Sequence, residues 1–260
     1  MNSIESKTSV FSQLLGIMDE LRAKCPWDKV QTNETLRTLT IEETYELADA
    51  ILRGNNDEIC QELGDILLHV VFYAKIAEEK EVFDIGNVIN LLIEKLVYRH
   101  PHIFADTKVK NADEVIENWE KLKLKEKHGN KTVLEGVPNS LPAMIKAYRI
   151  QDKARGVGFD WEERSQVWDK IEEEINELKC EIEKKDEKGI EEEFGDLFFA
   201  LINAARLYGI NPENALELTN RKFIKRFNFL ELETIKKGID LKKMSLAEMD
   251  VIWEKSKRNS

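Results

Sequence analysis

Cysteine, proline and long apolar runs are all scarce in this chain, and each scarcity removes a class of protein. Cys25, Cys60 and Cys180 form no CxxC pattern and are odd in number, which excludes a disulfide framework and fits a reducing cytoplasm. No apolar run approaches the roughly 18 residues of a membrane span, and the start, MNSIESKTSV, has no signal-peptide pattern. Period-2 apolar alternation is missing, so no strand is expected. Gly156-x-Gly158 lacks the third glycine of a dinucleotide fingerprint and follows no strand, and no phosphate-binding GxxxxGKS/T motif occurs. Positive charge is in deficit: the net charge of −11 argues against nucleic acid or an anionic membrane as the main partner. A phosphorylated small molecule stays open, provided that metal ions and local Lys/Arg neutralise it.

What the chain does have is acid at helical spacing. With 260 residues, 42% apolar and 34% charged, it suits one or two ordered domains, each with its own core. Residues 41 to 66 read IEETYELADAILRGNNDEICQELGDI. Glu43 and Glu46 are spaced i, i+3, as are Glu62 and Asp65, so each pair shares a helix face. The midpoint of Glu46 and Glu62 is residue 54, and so is that of Glu43 and Asp65. A symmetric antiparallel hairpin turning at Gly54 therefore sets the two pairs opposite each other. Like charges at this spacing cost about 0.2–0.5 kcal/mol per pair even in an exposed helix, so the arrangement asks for a cation. Hard oxygen ligands favour Mg²⁺ or Mn²⁺ over zinc or copper.

The hairpin recurs. Adding 131 to Glu42, Glu43, Glu46, Glu62 and Asp65 gives Glu173, Glu174, Glu177, Glu193 and Asp196, with both midpoints at Lys185. Acids at these spacings are common on solvated faces, but two copies in step, each centred on its own turn, are not. Lys95 and Arg99 match Lys222 and Arg226 at an offset of 127, Trp119-Glu120-Lys121 matches Trp253-Glu254-Lys255, and Trp27-Asp28 resembles Phe159-Asp160. Helices are expected over 9 to 24, 33 to 52, from a cap at Asn56 or Asp57, from Asp84 through 98, over 112 to 125 and over 141 to 154. Others start at Asn211-Pro212, running to about residue 230, and at Ser245. The Gly/Pro-rich 128 to 142 is the expected linker between domains at 1 to 127 and 143 to 260. His69 follows Asp65 on the acidic face but is matched by Ala200, so it reads as a packing or supporting residue. His100, His102 and His128 have no counterparts and receive no role.

An all-carboxylate Mg²⁺ site usually completes its coordination with substrate phosphates and water, so a phosphoryl substrate follows. Lys222 and Arg226 would then hold phosphate oxygens, and Trp253 would stack on a base or close the pocket. At this point the sequence resembles the MazG nucleoside triphosphate pyrophosphohydrolases, whose motif is EExxE followed by ExxD. It reads Glu42-Glu43-Thr44-Tyr45-Glu46 with Glu62-Leu63-Gly64-Asp65, then Glu173-Glu174-Ile175-Asn176-Glu177 with Glu193-Phe194-Gly195-Asp196. CPWDKVQT at 25 to 32, NRKFIKRF at 220 to 227 and IWEK around Trp253 extend the likeness over nearly the whole chain, in the bacterial tandem-domain form.

The resemblance implies an all-α fold of two tandem helical-bundle domains, Mg²⁺ dependence with Mn²⁺ as a substitute, and a homodimer. It implies hydrolysis of nucleoside triphosphates to the monophosphate and pyrophosphate with broad base tolerance. Carried over, Glu174, Glu177, Glu193 and Asp196 are expected as metal ligands. Lys170, Glu173, Glu174, Glu192, Asp196, Lys222, Arg226 and Trp253 are expected to line the substrate site. Glu173 or Glu192 is expected to take the proton of the attacking water, and the sequence does not choose between them. Lys170 lies one turn before Glu174 where the first copy has Leu39, so the C-terminal copy is expected to be the main active site. Glu43, Glu46, Glu62 and Asp65 remain a second metal site. One departure is that a basic residue is expected just before the second acidic pair, whereas the nearest is Lys188, followed by Gly189, so that contact is expected to be displaced. Two other classes stand beside the enzyme: a non-catalytic helical regulatory protein stabilised by metal, and an oxygen-activating dinuclear carboxylate protein, which the missing ExxH motifs disfavour.

Overall fold

The computed structural model describes residues 2–111, 114, 115, 118, 119, 122, 123 and 132–258. All regular elements among them are helical, and none is long and apolar enough to cross a membrane. The chain divides into two compact units, Met1–Lys108 and Val109–Ser260.

Unit 1 holds α1 (Ile4–Lys24), α2 (Pro26–Lys29), α3 (Asn33–Arg53), α4 (Asn56–Glu78), α5 (Ile85–Arg99) and α6 (Pro101–Phe104). Each boundary has a local cause. Thr32 and Thr35 form a capping box at the start of α3, as Asp84 and Asn87 do for α5. The α3–α4 turn is made by Gly54, whose φ of 68° is left-handed and closes the last turn onto the Ala50 and Ile51 carbonyls. Asn55, rather than the expected Asn56 or Asp57, then caps α4, its side chain accepting from the Asp57 and Glu58 amides. The turn is thus one residue tighter than the sequence suggests. Met18, Leu36, Val71, Phe72 and Ile76 are fully buried and form the core, with Leu14, Leu39 and Tyr73 packed on them.

Unit 2 contains α7 (Ala143–Arg155), α8 (Gln166–Lys184), α9 (Glu187–Leu207), α10 (Pro212–Lys236), a 3-10 turn (Leu241–Lys243) and α11 (Leu246–Arg258). Residues 114, 115, 118, 119, 122 and 123 are also helical. The rest of the helix expected over 112 to 125, and His128 with the start of the expected linker, lie outside the described residues. Pro212 begins α10 under an Asn211 cap, and the helix runs to Lys236, beyond the expected end. Ser245 and Glu248 make the reciprocal cap of α11. The α8–α9 hairpin repeats the first turn atom for atom in its logic: Lys185 takes the left-handed conformation (φ 56°) and Asp186 accepts from the Lys188 and Gly189 amides. Val167, Ile171, Ala200 and Ala204 form the buried core, backed by Ile175, Leu197 and Leu207.

The cores of the units differ in bulk, since Phe72 is among the largest fully buried side chains. Phe72→Ala is expected to cost about 3–5 kcal/mol of unfolding free energy through lost burial and a residual cavity, read as a lowered midpoint in urea denaturation.

Candidate metal and substrate site

The hairpin of unit 2 gathers its acids. Ligand oxygens of Glu174, Glu177 and Glu193 all lie within 4.8 Å of one another. Glu174 is only 5% exposed, and Glu193 Oε2 is buried without a hydrogen-bond partner. Burial first, then the Glu177, Asp196 and Glu174 carboxylates, push the Glu193 carboxyl above its usual range. Asp196 completes the group by sharing a cavity wall with Glu174 and Glu177. An orphaned buried oxygen among hard carboxylate donors fits a divalent cation, and these residues are the ones that would hold it. Unit 1 repeats the pattern. Glu43, Glu62 and Asp65 cluster, Glu62 Oε2 is buried without a partner, and burial followed by neighbouring carboxylates raises Glu43 and Glu62.

One cation is built into the second cluster. Lys170 Nζ lies 2.8 Å from Glu174 Oε1 and 2.9 Å from Glu173 Oε1, and these hydrogen bonds raise its pKa. Lys170, Glu174, Glu177 and Asp196 line a cavity of about 830 Å³ whose remaining wall is largely apolar, with Ile150, Phe159, Trp161 and Phe199. That volume and that mix of walls suit a small organic ligand with one charged end. Arg206 braces the cavity: its guanidinium makes a two-pronged pair with Asp160, 2.9 Å from Nη1 to Oδ2, and donates to Asn203 Oδ1 from Nε and Nη2. Burial opposes ionisation of Asp160, but the Arg206 guanidinium and the Trp161 amide outweigh it and hold the carboxyl below its usual value.

The model of the MazG nucleotide pyrophosphohydrolase domain matches twice, over residues 31–104 and 163–229. The nucleoside triphosphate pyrophosphohydrolase/pyrophosphatase MazG of Thermotoga maritima is 44% identical over 251 residues, 95% of this chain and 96% of that one. The chain belongs to the MazG family. The nucleoside triphosphate pyrophosphohydrolase of Escherichia coli K12 is 42% identical over 253 residues, again 95% and 96% of the two chains. Uncharacterized protein YabN of Bacillus subtilis is 45% identical over 251 residues, about half (51%) of its length.

Within this MazG chain the expected site residues fall into three groups. Lys170, Glu174, Glu177 and Asp196 face the cavity and Glu193 joins their cluster. Glu173 and Glu192 stand on exposed turns, Glu173 held by Lys170 and Glu192 lying 3.2 Å from Lys188. Lys188, the nearest basic residue before the second acidic pair, thus pairs with Glu192 one turn on. Gly189 beside it leaves room for Glu181, whose Oε2 lies 2.8 Å from where a Cβ would sit. Lys222 and Arg226 on α10 and Trp253 on α11 are not among the cavity lining. Trp253 packs on Phe223 with ring centroids 5.2 Å apart, and Arg226 Nε is buried without a hydrogen-bond partner. Asp160, Arg206, Asn203 and Gln151 were missed. Only Asp160 had a signal, in the likeness of Phe159-Asp160 to Trp27-Asp28.

The two copies diverge behind their acids. At the 131-residue offset, His69, Phe72 and Tyr73 stand where unit 2 has Ala200, Asn203 and Ala204. Phe72 is 2% exposed and His69 6%, and Thr40 Oγ1 lies 2.7 Å from both His69 Nδ1 and Tyr73 Oη. Burial lowers the His69 pKa against the pull of Asp65, so this is a packed neutral imidazole, as its sequence position suggested. A cavity in unit 1, lined by Met18, Lys75 and Asp84 among others, holds about 180 Å³.

Because the folded Asp160 carboxyl titrates below its ordinary value of 3.8, its contribution is complete above that pH and is lost as pH falls through the folded value. Asp160→Asn is expected to cost about 1–3 kcal/mol at neutral pH by leaving Arg206 half-paired. Urea denaturation should show the deficit shrinking as pH falls below the ordinary value of 3.8 and the native carboxylate protonates.

Proposed function

We propose that this chain is a Mg²⁺-dependent nucleoside triphosphate pyrophosphohydrolase, cleaving NTPs and dNTPs of any base to the monophosphate and pyrophosphate, with unit 2 as its main active site. The observation that carries this reading is the two-sided cavity of unit 2, acidic with one lysine on one side and apolar on the other. The family and the printed names of its relatives support it. Glu174, Glu177, Glu193 and Asp196 hold the ion; when bound, Mg²⁺ neutralises phosphate charge, polarises the α-phosphorus and lowers the pKa of a water. Lys170 adds positive charge beside Glu174 for the triphosphate, and Glu173 or Glu192 takes the water proton. The apolar wall receives the nucleoside. Mn²⁺ substitutes, since carboxylate and water oxygens suit it as well.

A homodimer belongs to the same reading. Phe223, Ile224 and Phe227 are more than a third exposed and interleave with Lys222 and Arg226 along α10, an apolar surface that a second copy would cover. Lys222 and Arg226 then serve phosphate oxygens and Trp253 closes the pocket within that assembly. Neither nucleic acid nor a membrane is a partner, in keeping with the net charge of −11. The three free cysteines suit a cytoplasmic setting. Unit 1 binds metal without turnover, because Phe72, His69 and Tyr73 fill the space in which a nucleoside would sit.

Glu174→Gln and Asp196→Asn are expected to lower Mg²⁺-dependent pyrophosphate release at least about a hundredfold. Resolving nucleotide products is decisive, since nucleoside diphosphate with phosphate would rule out attack at the α-phosphorus. The double variant Glu43→Gln with Glu62→Gln is expected to keep turnover within about twofold of the parent, its effect confined to metal-dependent stability read by thermal melting.

A further inference from the structure

Resting on the pyrophosphohydrolase reading, we propose that Gln151 determines base acceptance. Its side-chain oxygen accepts a hydrogen bond from an N–H on the base-pairing edge of the nucleobase. Gln151 stands on α7, lines the cavity and is 5% exposed. Its Nε2 donates to the main-chain oxygen of Phe199 on α9 at 2.8 Å. That carbonyl only accepts, so the amide cannot flip without setting two oxygens against each other. Oε1 is therefore the free end, and it is buried without a hydrogen-bond partner. An unmet acceptor in an apolar wall is destabilising, and a ligand donor relieves it.

Asn203, in the same lining, is fixed in the opposite sense. Its Oδ1 accepts from Arg206 Nε at 3.1 Å and Nη2 at 2.7 Å, which leaves only amide N–H groups to offer. Gln151 and Asn203 share the cavity lining, so a base seated there would meet an acceptor on Gln151 and a donor on Asn203. Every common base carries an N–H donor beside an acceptor on its base-pairing edge: the amino group and ring nitrogen of adenine or cytosine, the ring N–H and carbonyl of guanine, uracil or thymine. One such couple accepts all of them and gives broad base tolerance a physical cause. It rejects a base stripped of its edge N–H, because Oε1 is then left buried and unpaired.

The test compares kcat/KM for ATP and for purine riboside triphosphate, which lacks the amino group. The wild type is expected to prefer ATP about tenfold, the size of one well-placed hydrogen bond. In Gln151→Met the two substrates are expected to converge to within about twofold, while Gln151→Glu, whose protonated form donates to Phe199 and keeps an acceptor, retains a preference. Both constants are read on one sample, so a partly folded variant still reports the ratio, and Gln151→Leu serves if the methionine variant yields no folded protein. A purely structural role would lower both substrates together and leave the ratio unchanged. That result, or equal turnover by the wild type, overturns this inference alone. Absence of any pyrophosphate release by the wild type overturns the hydrolase reading and this inference with it.

Discussion

Repulsion between carboxylates is the force around which both units are built. Glu174, Glu177 and Glu193 place oxygens within 4.8 Å of one another; burial and the neighbouring carboxylates raise the Glu193 pKa, and such like charges oppose the fold that gathers them. Short, strongly capped hairpins keep the acids together despite this. Gly54 and Lys185 both take left-handed φ, and Asn55 and Asp186 each cap the following helix with two amides. A lysine in that conformation costs about 1 kcal/mol relative to glycine, so unit 2 holds its turn with a less favourable residue and the same hydrogen bonds. Lys170 supplies part of the missing positive charge at Glu174, and the cluster could hold a metal ion to supply the rest.

Duplication let the two sites part. In unit 1 the volume behind the acids went to packing: Phe72 and Met18 are essentially inaccessible, and Thr40 ties His69 to Tyr73. In unit 2 Ala200 and Asn203 stand at the wall of an open cavity instead. Small residues in a core sacrifice apolar burial, about 0.8 kcal/mol per methylene not buried, and the open cavity is what that sacrifice yields. The same acidic motif can therefore sit above a core or above a binding pocket, and the motif alone does not say which.

The hairpins were legible in the sequence because they are local. Their symmetry centres, residues 54 and 185, are the residues that turn, and the caps at Asp84, Asn211 and Ser245 depend on neighbours within three positions. The Asn55 cap shows the limit, since one residue more or less in a turn leaves the apolar pattern almost unchanged. The cavity was not legible. It needs α7 set beside α9, through pairs such as Gln151 with Phe199 and Asp160 with Arg206, which are 48 and 46 residues apart. Nothing in the local spacing of a glutamine or an arginine announces such partners. Lys222 and Trp253, which did stand out by repetition, lie outside the cavity lining: repetition marks what two copies kept, and the pocket is what one copy altered.

That difference also bears on how the site tolerates its own polarity. Asp160 and Arg206 satisfy each other, and Arg206 satisfies Asn203 Oδ1, through direct hydrogen bonds, so they brace the wall and leave only the Asn203 N–H groups for a ligand. Glu193 Oε2 and Gln151 Oε1 are buried and unpaired. Each such atom works against folding by itself, and the two are of different kinds, an anionic oxygen among acids and a neutral acceptor in an apolar wall. A ligand that relieves both must be bipolar, with a cation-bound anionic end and a flat apolar end bearing an N–H. On the proposed reading, a magnesium-bound nucleotide meets that description at its two extremes, and the polarity left unsatisfied in the protein would be what selects it.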